Sequence, residues 1–127
     1  MLRAYAAALT VTAALDLAWL GWLAKDLYRR HVGHLMAPEV RWIGAVLFYL
    51  VYAGGLLYFV VRPAVAEHSL RKALFNGALL GLFVYAVYDL TNLAVLRGWT
   101  ATISAVDIAW GGFLTACACG AAYLAAA

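Results

Sequence analysis

Polar residues are so sparse along this chain that they divide it into blocks. Charged breaks fall at Lys25-Asp26, Arg62-Pro63, Arg71-Lys72 and Arg97-Gly98. Between them lie four apolar stretches, at about 4–24, 42–61, 73–96 and 102–125. A helix crossing hydrocarbon about 30 Å thick, at about 1.5 Å rise per residue, needs about 20 apolar residues. Backbone groups in lipid must be satisfied internally, and barrel strands would alternate apolar with polar positions. These blocks do not alternate, so four transmembrane helices are predicted. Proline at position 63 predicts that the second span stops at Arg62-Pro63.

The longest connection, 25–41, has a pattern of its own. Leu27, Tyr28, Val32, Leu35 and Met36 recur at helical spacing, with Arg29, Arg30, Gly33 and His34 opposite. That pattern predicts a short amphipathic helix in the headgroup plane, ended before Pro38. Trp22, Trp42 and Trp99 are expected as an aromatic belt at the same interface. The expected fold is therefore all-α: a polytopic four-helix bundle in one domain, 1–127, with an interfacial helix between spans one and two.

Composition agrees with the pattern. Of 127 residues, 68% are hydrophobic and 12% charged, and mean hydropathy is +0.90. A soluble domain carries roughly twice that charged fraction. Disorder and a conventional polar-surfaced enzyme are excluded. A net charge of +3, scattered along the chain, excludes a nucleic-acid binder. The start has the look of a secretion signal, but its apolar run is long and contains Asp16, so an uncleaved first helix is expected. Four spans place Arg3, Arg62, Arg71 and Lys72 on one side and Lys25, Arg29, Arg30, Arg41 and Arg97 on the other. Four against five sets no orientation by the positive-inside rule.

The acids carry the chemistry. Asp26, Glu39 and Glu67 fall in loops, where solvation is expected, whereas Asp16, Asp89 and Asp107 fall inside spans. A charged side chain at the bilayer centre costs roughly 2.5–3.5 kcal/mol on insertion scales, so three are an unusual load. Counted from Lys25 and Arg97, which bound loops on one side, all three lie within roughly 12–15 Å of that interface. Gly77, Gly81, Tyr85, Tyr88, Asp89 and Asn92 share one face of span three, and Tyr5, Thr12, Asp16 and Trp19 one face of span one. Ser104, Asp107 and Gly111, with Trp110 adjacent, share a face of span four, and Trp42, Tyr49 and Tyr52 a side of span two. Polar stripes face a bundle's interior, so the acids are expected to converge on one site opening toward 25–41. Asp16-Leu17-Ala18-Trp19-Leu20-Gly21 and Asp107-Ile108-Ala109-Trp110-Gly111-Gly112 both read Asp-x-Ala-Trp-x-Gly. Each sets an indole one helical turn from a carboxyl, where its N–H can be donated. With no Lys or Arg inside a span, the acids are left to protonation, to proton sharing among them, to hydrogen bonds from Tyr, Asn and Trp, or to a bound cation.

Other signals weigh less. His31 and His34 lie near the mouth of the expected site but span Gly33, and solvated interfacial histidines are the expectation rather than a metal site. His68 is read as a loop residue, and the absence of histidine from every span argues against haem. No cofactor is implied. Cys117 and Cys119 point about 200° apart on a helix and cannot bridge. Gly112, Ala116 and Gly120, like Gly77 and Gly81, read as ridges for close helix approach, within the bundle or between protomers. Gly54-Gly55 reads as a kink or a packing notch.

Asp16–Gly21, Phe48-Tyr49-Leu50-Val51-Tyr52, Tyr88-Asp89-Leu90-Thr91-Asn92-Leu93-Ala94, Arg97-Gly98-Trp99 and Asp107-Ile108-Ala109-Trp110-Gly111 occur in this order. Over essentially its full length the chain resembles the bacterial four-span proteins of domain-of-unknown-function family 2177. The resemblance implies a multi-pass protein of the bacterial inner membrane and brings no settled activity. From the residues, the first expectation is proton-linked binding or transport of a small cationic or amphipathic ligand. Asp16, Asp89 and Asp107 would handle protons, with Trp19, Tyr49, Tyr52, Tyr85, Tyr88, Asn92 and Trp110 around the ligand. So small a chain would need a homodimer or larger assembly to form a roomy pathway. Two other readings stand beside it. One is a membrane-embedded acid/base enzyme acting on a lipid or isoprenoid-like substrate. The other is an accessory or structural subunit whose acids only hold helices together.

Overall fold

The structure is a computed structural model that describes residues 1–36 and 41–126. Pro38, the expected stop of the interfacial helix, and Glu39 lie outside the described residues. The chain forms α1 (Leu2–Ala18), a π-helical turn (Trp19–Leu23), α2 (Lys25–Val32) and a 3-10 turn (Gly33–Leu35). Then come α3 (Trp42–Leu56), a second π-helical turn (Leu57–Val61), α4 (Arg62–Ala66), α5 (Leu70–Val95) and α6 (Ala101–Ala126). No strand occurs among the described residues. Four segments are long and apolar enough to cross a membrane: Leu2–Leu23, Trp42–Ala66, Leu70–Val95 and Ala101–Ala126.

The second span does not stop at Arg62-Pro63. Its helix runs on to Ala66. In a regular α-helix the Pro63 ring would strike the carbonyl four residues back, and its missing N–H would orphan that group. The wider turn at 57–61, closed by the Arg62 N–H donating to the Leu57 carbonyl, carries the chain past the proline without a break. Span three also begins earlier than charge predicts. Arg71 and Lys72 occupy the first turn of α5, where long cationic side chains reach back to water. Ser69 caps that turn, accepting from the Lys72 backbone N–H at 3.1 Å. Glu67, in the preceding turn, makes an exposed ion pair with Lys72. At the other end of the hairpin Gly98 takes a positive φ of 88°, and Thr100 caps α6 by accepting from the Ile103 N–H at 3.1 Å.

α6 is the most enclosed helix, flanked by α5 and α1. Glycines set its distance from α5. A β-carbon on Gly77 would meet Cys119, one on Gly81 the Gly111 carbonyl and Thr115, one on Gly112 Leu82, and one on Gly120 Leu74. Small residues thus let the two backbones meet. Ala4 and Ala8 of α1 share a buried cluster with Ala118 and Ala122 of α6. Gly54 and Gly55 have open space where a β-carbon would stand, so neither is a packing notch within the chain. α3 packs on α1, where the Tyr5 hydroxyl donates to the Leu50 carbonyl at 2.9 Å. Its second half, with Leu56, Val60 and Val61 buried, closes against the bundle. Its first half is largely exposed, which leaves a gap between α3, α1, α5 and α6.

Candidate functional site

α2 covers that gap. Tyr28 and Val32 are buried, with Arg29 and Arg30 on the exposed face. Beneath lies a cavity of about 600 Å³. Asp16 and Asp107 line it with Tyr28, Tyr85, Tyr88 and Trp99; the remaining wall is aliphatic apart from Phe48. Among the described residues that line it there is no Lys, Arg or His.

Two hydrogen-bond systems hold the carboxyls. The Tyr28 hydroxyl donates to Asp107 Oδ1 at 2.6 Å, and Trp19 Nε1 donates to Tyr28 Oη at 3.2 Å. Burial first, and then the bond to Asp107, push the Tyr28 phenol far above the usual tyrosine range. Asp16 accepts from Tyr49 at 3.0 Å on Oδ2 and from Trp110 Nε1 at 3.4 Å on Oδ1. The Trp19 and Trp110 rings stack at 4.3 Å and 7° between the two systems.

The repeated Asp-x-Ala-Trp pattern therefore works by exchange. Each indole serves the other helix's acid, directly from Trp110 to Asp16 and through Tyr28 from Trp19 to Asp107. Spans one and four run in opposite directions, so Trp19 lies one turn nearer the α2 interface than Asp16, and Trp110 one turn deeper than Asp107. Antiparallel pairing then brings each indole beside the opposite carboxyl.

Asp89 is fully buried and lies behind the cavity wall rather than in it. Its carboxyl lies near that of Asp107, and neither of its oxygens has a hydrogen-bond partner. Two neighbouring carboxyls with no cation between them repel when both are charged, so the Asp89–Asp107 pair is suited to sharing a proton. Ser104 Oγ, fed by Trp99 Nε1 at 3.1 Å, approaches the Asp89 backbone carbonyl at 3.4 Å.

Of the other residues expected around a ligand, Tyr85 and Tyr88 line the cavity. Trp19, Tyr49 and Trp110 instead hold its carboxyl-bearing walls. Tyr52 is bonded to Thr115 at 2.6 Å and stacks on Phe48, one layer back. Asn92 is half-buried beyond Tyr88 and does not line the cavity. Three aromatic lining residues lie outside the expected set: Tyr28, whose sequence pattern places it on an apolar helix face; Phe48; and Trp99, which the pattern places in the aromatic belt. Trp22 and Trp42 are exposed as a belt requires, whereas Trp99 turns inward because its N–H is used by Ser104. A hydroxyl on the buried face of an amphipathic helix was the available signal for Tyr28.

His31 Nδ1 donates to the Leu27 carbonyl at 2.9 Å, and His34 rests on Gly98. Among the described residues no three His, Cys, Asp or Glu side chains converge to hold a metal ion. Cys117 and Cys119 are free thiols, the latter buried against Gly77.

Four apolar spans with polar groups turned inward make this a polytopic α-helical membrane protein. The chain belongs to the family described as predicted membrane protein (DUF2177), whose model matches residues 1–124. No curated protein and no solved structure matches it.

Proposed function

We propose that the protein binds a small cationic or amphipathic ligand in the cavity beneath α2 and couples that binding to a proton, as a carrier in the bacterial inner membrane would. The observation that carries this reading is the cavity itself: two carboxyls and several aromatic rings around about 600 Å³, with no basic side chain among its described lining residues. A pocket of that size suits a drug-sized molecule. Carboxyls and ring faces both attract positive charge, more strongly where water is thin. Asp107 links cavity to proton, because it faces the ligand space on one side and Asp89 on the other. A cation arriving at Asp107 favours loss of the proton held by that pair. Transport in this scheme uses a homodimer, since one four-span chain leaves little room for a pathway of its own.

Binding of tetraphenylphosphonium to purified protein in lipid nanodiscs, followed by calorimetry in two buffers of different ionisation enthalpy, tests this. The expected result is saturable binding with proton release. Asp107→Asn should weaken binding at least tenfold, because a charge-assisted contact of about 1.5–3 kcal/mol is lost. Asp89→Asn should abolish the proton release while retaining binding. Saturable binding that is unchanged in Asp16→Asn and Asp107→Asn would overturn the proposal. A co-purifying lipid with a reactive bond beside Asp16 and Asp107 would instead favour acid/base catalysis.

A further inference from the structure

The same cavity discriminates among cations. We infer that it selects ions whose charge is wrapped in carbon, such as quaternary ammonium groups, over primary ammonium ions of similar size; this rests on the reading of the cavity as a cation site.

The first ground is the hydrogen bonding already committed within the site. A primary ammonium that leaves water needs three acceptors arranged around it. Here both Asp16 oxygens already accept, from Tyr49 and Trp110, and Asp107 Oδ1 accepts from Tyr28. The Asp107 carboxyl also has that of Asp89 as a neighbour. These carboxyls still attract a positive charge, but they offer few of the open, convergent acceptors that would replace an ammonium's hydration shell. A quaternary centre has no N–H to satisfy and so loses nothing by this.

Ring geometry is the second ground. Tyr88 and Trp99 meet edge to face, with centroids 6.0 Å apart and planes at 88°, forming a corner of two aromatic walls. Trp99 spends its N–H on Ser104, which fixes the indole and leaves it to present carbon to the cavity. The Tyr85 ring lies directly on Gly111, where a β-carbon would collide with it, and it packs edge to face with Tyr52, centroids 6.3 Å apart. Fixed rings of this kind attract a diffuse cation through their faces, and recognition of quaternary ammonium groups is a leading use of that interaction. Beyond the rings, Leu20, Val32 and Val84 supply an aliphatic wall suited to the alkyl part of such an ion.

Hexyltrimethylammonium and hexylammonium, titrated in parallel into the nanodisc-embedded protein, test the inference. The Asp16→Asn/Asp107→Asn double variant serves as the baseline for partition into lipid. The quaternary ion is expected to bind about tenfold more tightly than the primary one. Tyr88 is more than half exposed, so its replacement spares the fold. Tyr88→Leu should erase the preference and Tyr88→Phe should keep it. If the primary ion binds as well or better, selection by carbon-wrapped charge is wrong while the cation site stands. A preference that survives Tyr88→Leu and is lost in Tyr88→Phe would also overturn it, since the hydroxyl rather than the ring face would then decide. If neither ion binds above baseline, the cation site itself is refuted.

Discussion

Tyr28 joins two parts of the molecule that lie 79 residues apart, because its hydroxyl ties α2 to a carboxyl of a span, at Asp107. Phenylalanine at this position keeps the ring and deletes the bond. Hydrogen bonds to charged groups are worth about 1.5–3 kcal/mol, so Tyr28→Phe should lower stability by about that amount. Hydrogen exchange should rise over residues 25–36 and remain unchanged at the α5–α6 seam. The pH dependence has a definite sign. The folded phenol holds its proton above the ordinary tyrosine range, while an unfolded tyrosine loses it near pH 10, at about its ordinary pKa. The Tyr28 contribution is thus fully present below about pH 10 and declines as pH rises from there toward the folded value. In a difference titration of wild type against Tyr28→Phe, no phenolate absorbance should develop around pH 10; a normal tyrosine step there would show that Tyr28 is not held by Asp107.

At the scale of helices, glycines that look alike in sequence divide by their surroundings. Gly81→Ala would drive a methyl into the Gly111 carbonyl and Thr115, so α5 and α6 must separate. A loss of about 1–3 kcal/mol is expected from such overpacking. Gly54→Ala meets open space within a helix and should be neutral or stabilising by up to about 1 kcal/mol. Thermal unfolding of both variants in the same detergent checks the contrast, and equal losses would contradict it. The apolar runs alone make the four spans legible, because lipid imposes one length and one backbone solution on all of them. The depth of Asp16, Asp89 and Asp107 is legible for the same reason: residue count converts directly to distance along a helix. Azimuth across helices is not. The pattern Asp-x-Ala-Trp suggests each indole beside its own acid, and only the antiparallel pairing of α1 with α6 reveals the exchange between Trp110 and Asp16. Pro63 misleads in a related way, since a π-helical turn upstream is invisible in a proline rule.

On the scale of the whole molecule, the bundle is asymmetric across the membrane. Small residues close α1, α5 and α6 tightly at one end, where the α4–α5 turn lies, and α3 joins them there through Leu56, Val60 and Val61. Toward the other end the first half of α3 stands apart, and the cavity is roofed by α2 with Met36 at its edge, 53% exposed. Access from the α2 side therefore requires only movement of the roof, whereas access from the α4–α5 side requires parting the glycine seam. Single cysteines introduced into a Cys117→Ser/Cys119→Ala background distinguish the two routes. Met36→Cys should react with a membrane-impermeant maleimide from one face of oriented vesicles only, and hexyltrimethylammonium should slow that reaction. Lys72→Cys, in the first turn of α5, should react from the opposite face at a rate the cation leaves unchanged. Labelling of both positions from one face would break the four-span topology. Protection of Lys72→Cys in place of Met36→Cys would mean that the site is reached through the seam, and that α2 is a fixed part of the wall.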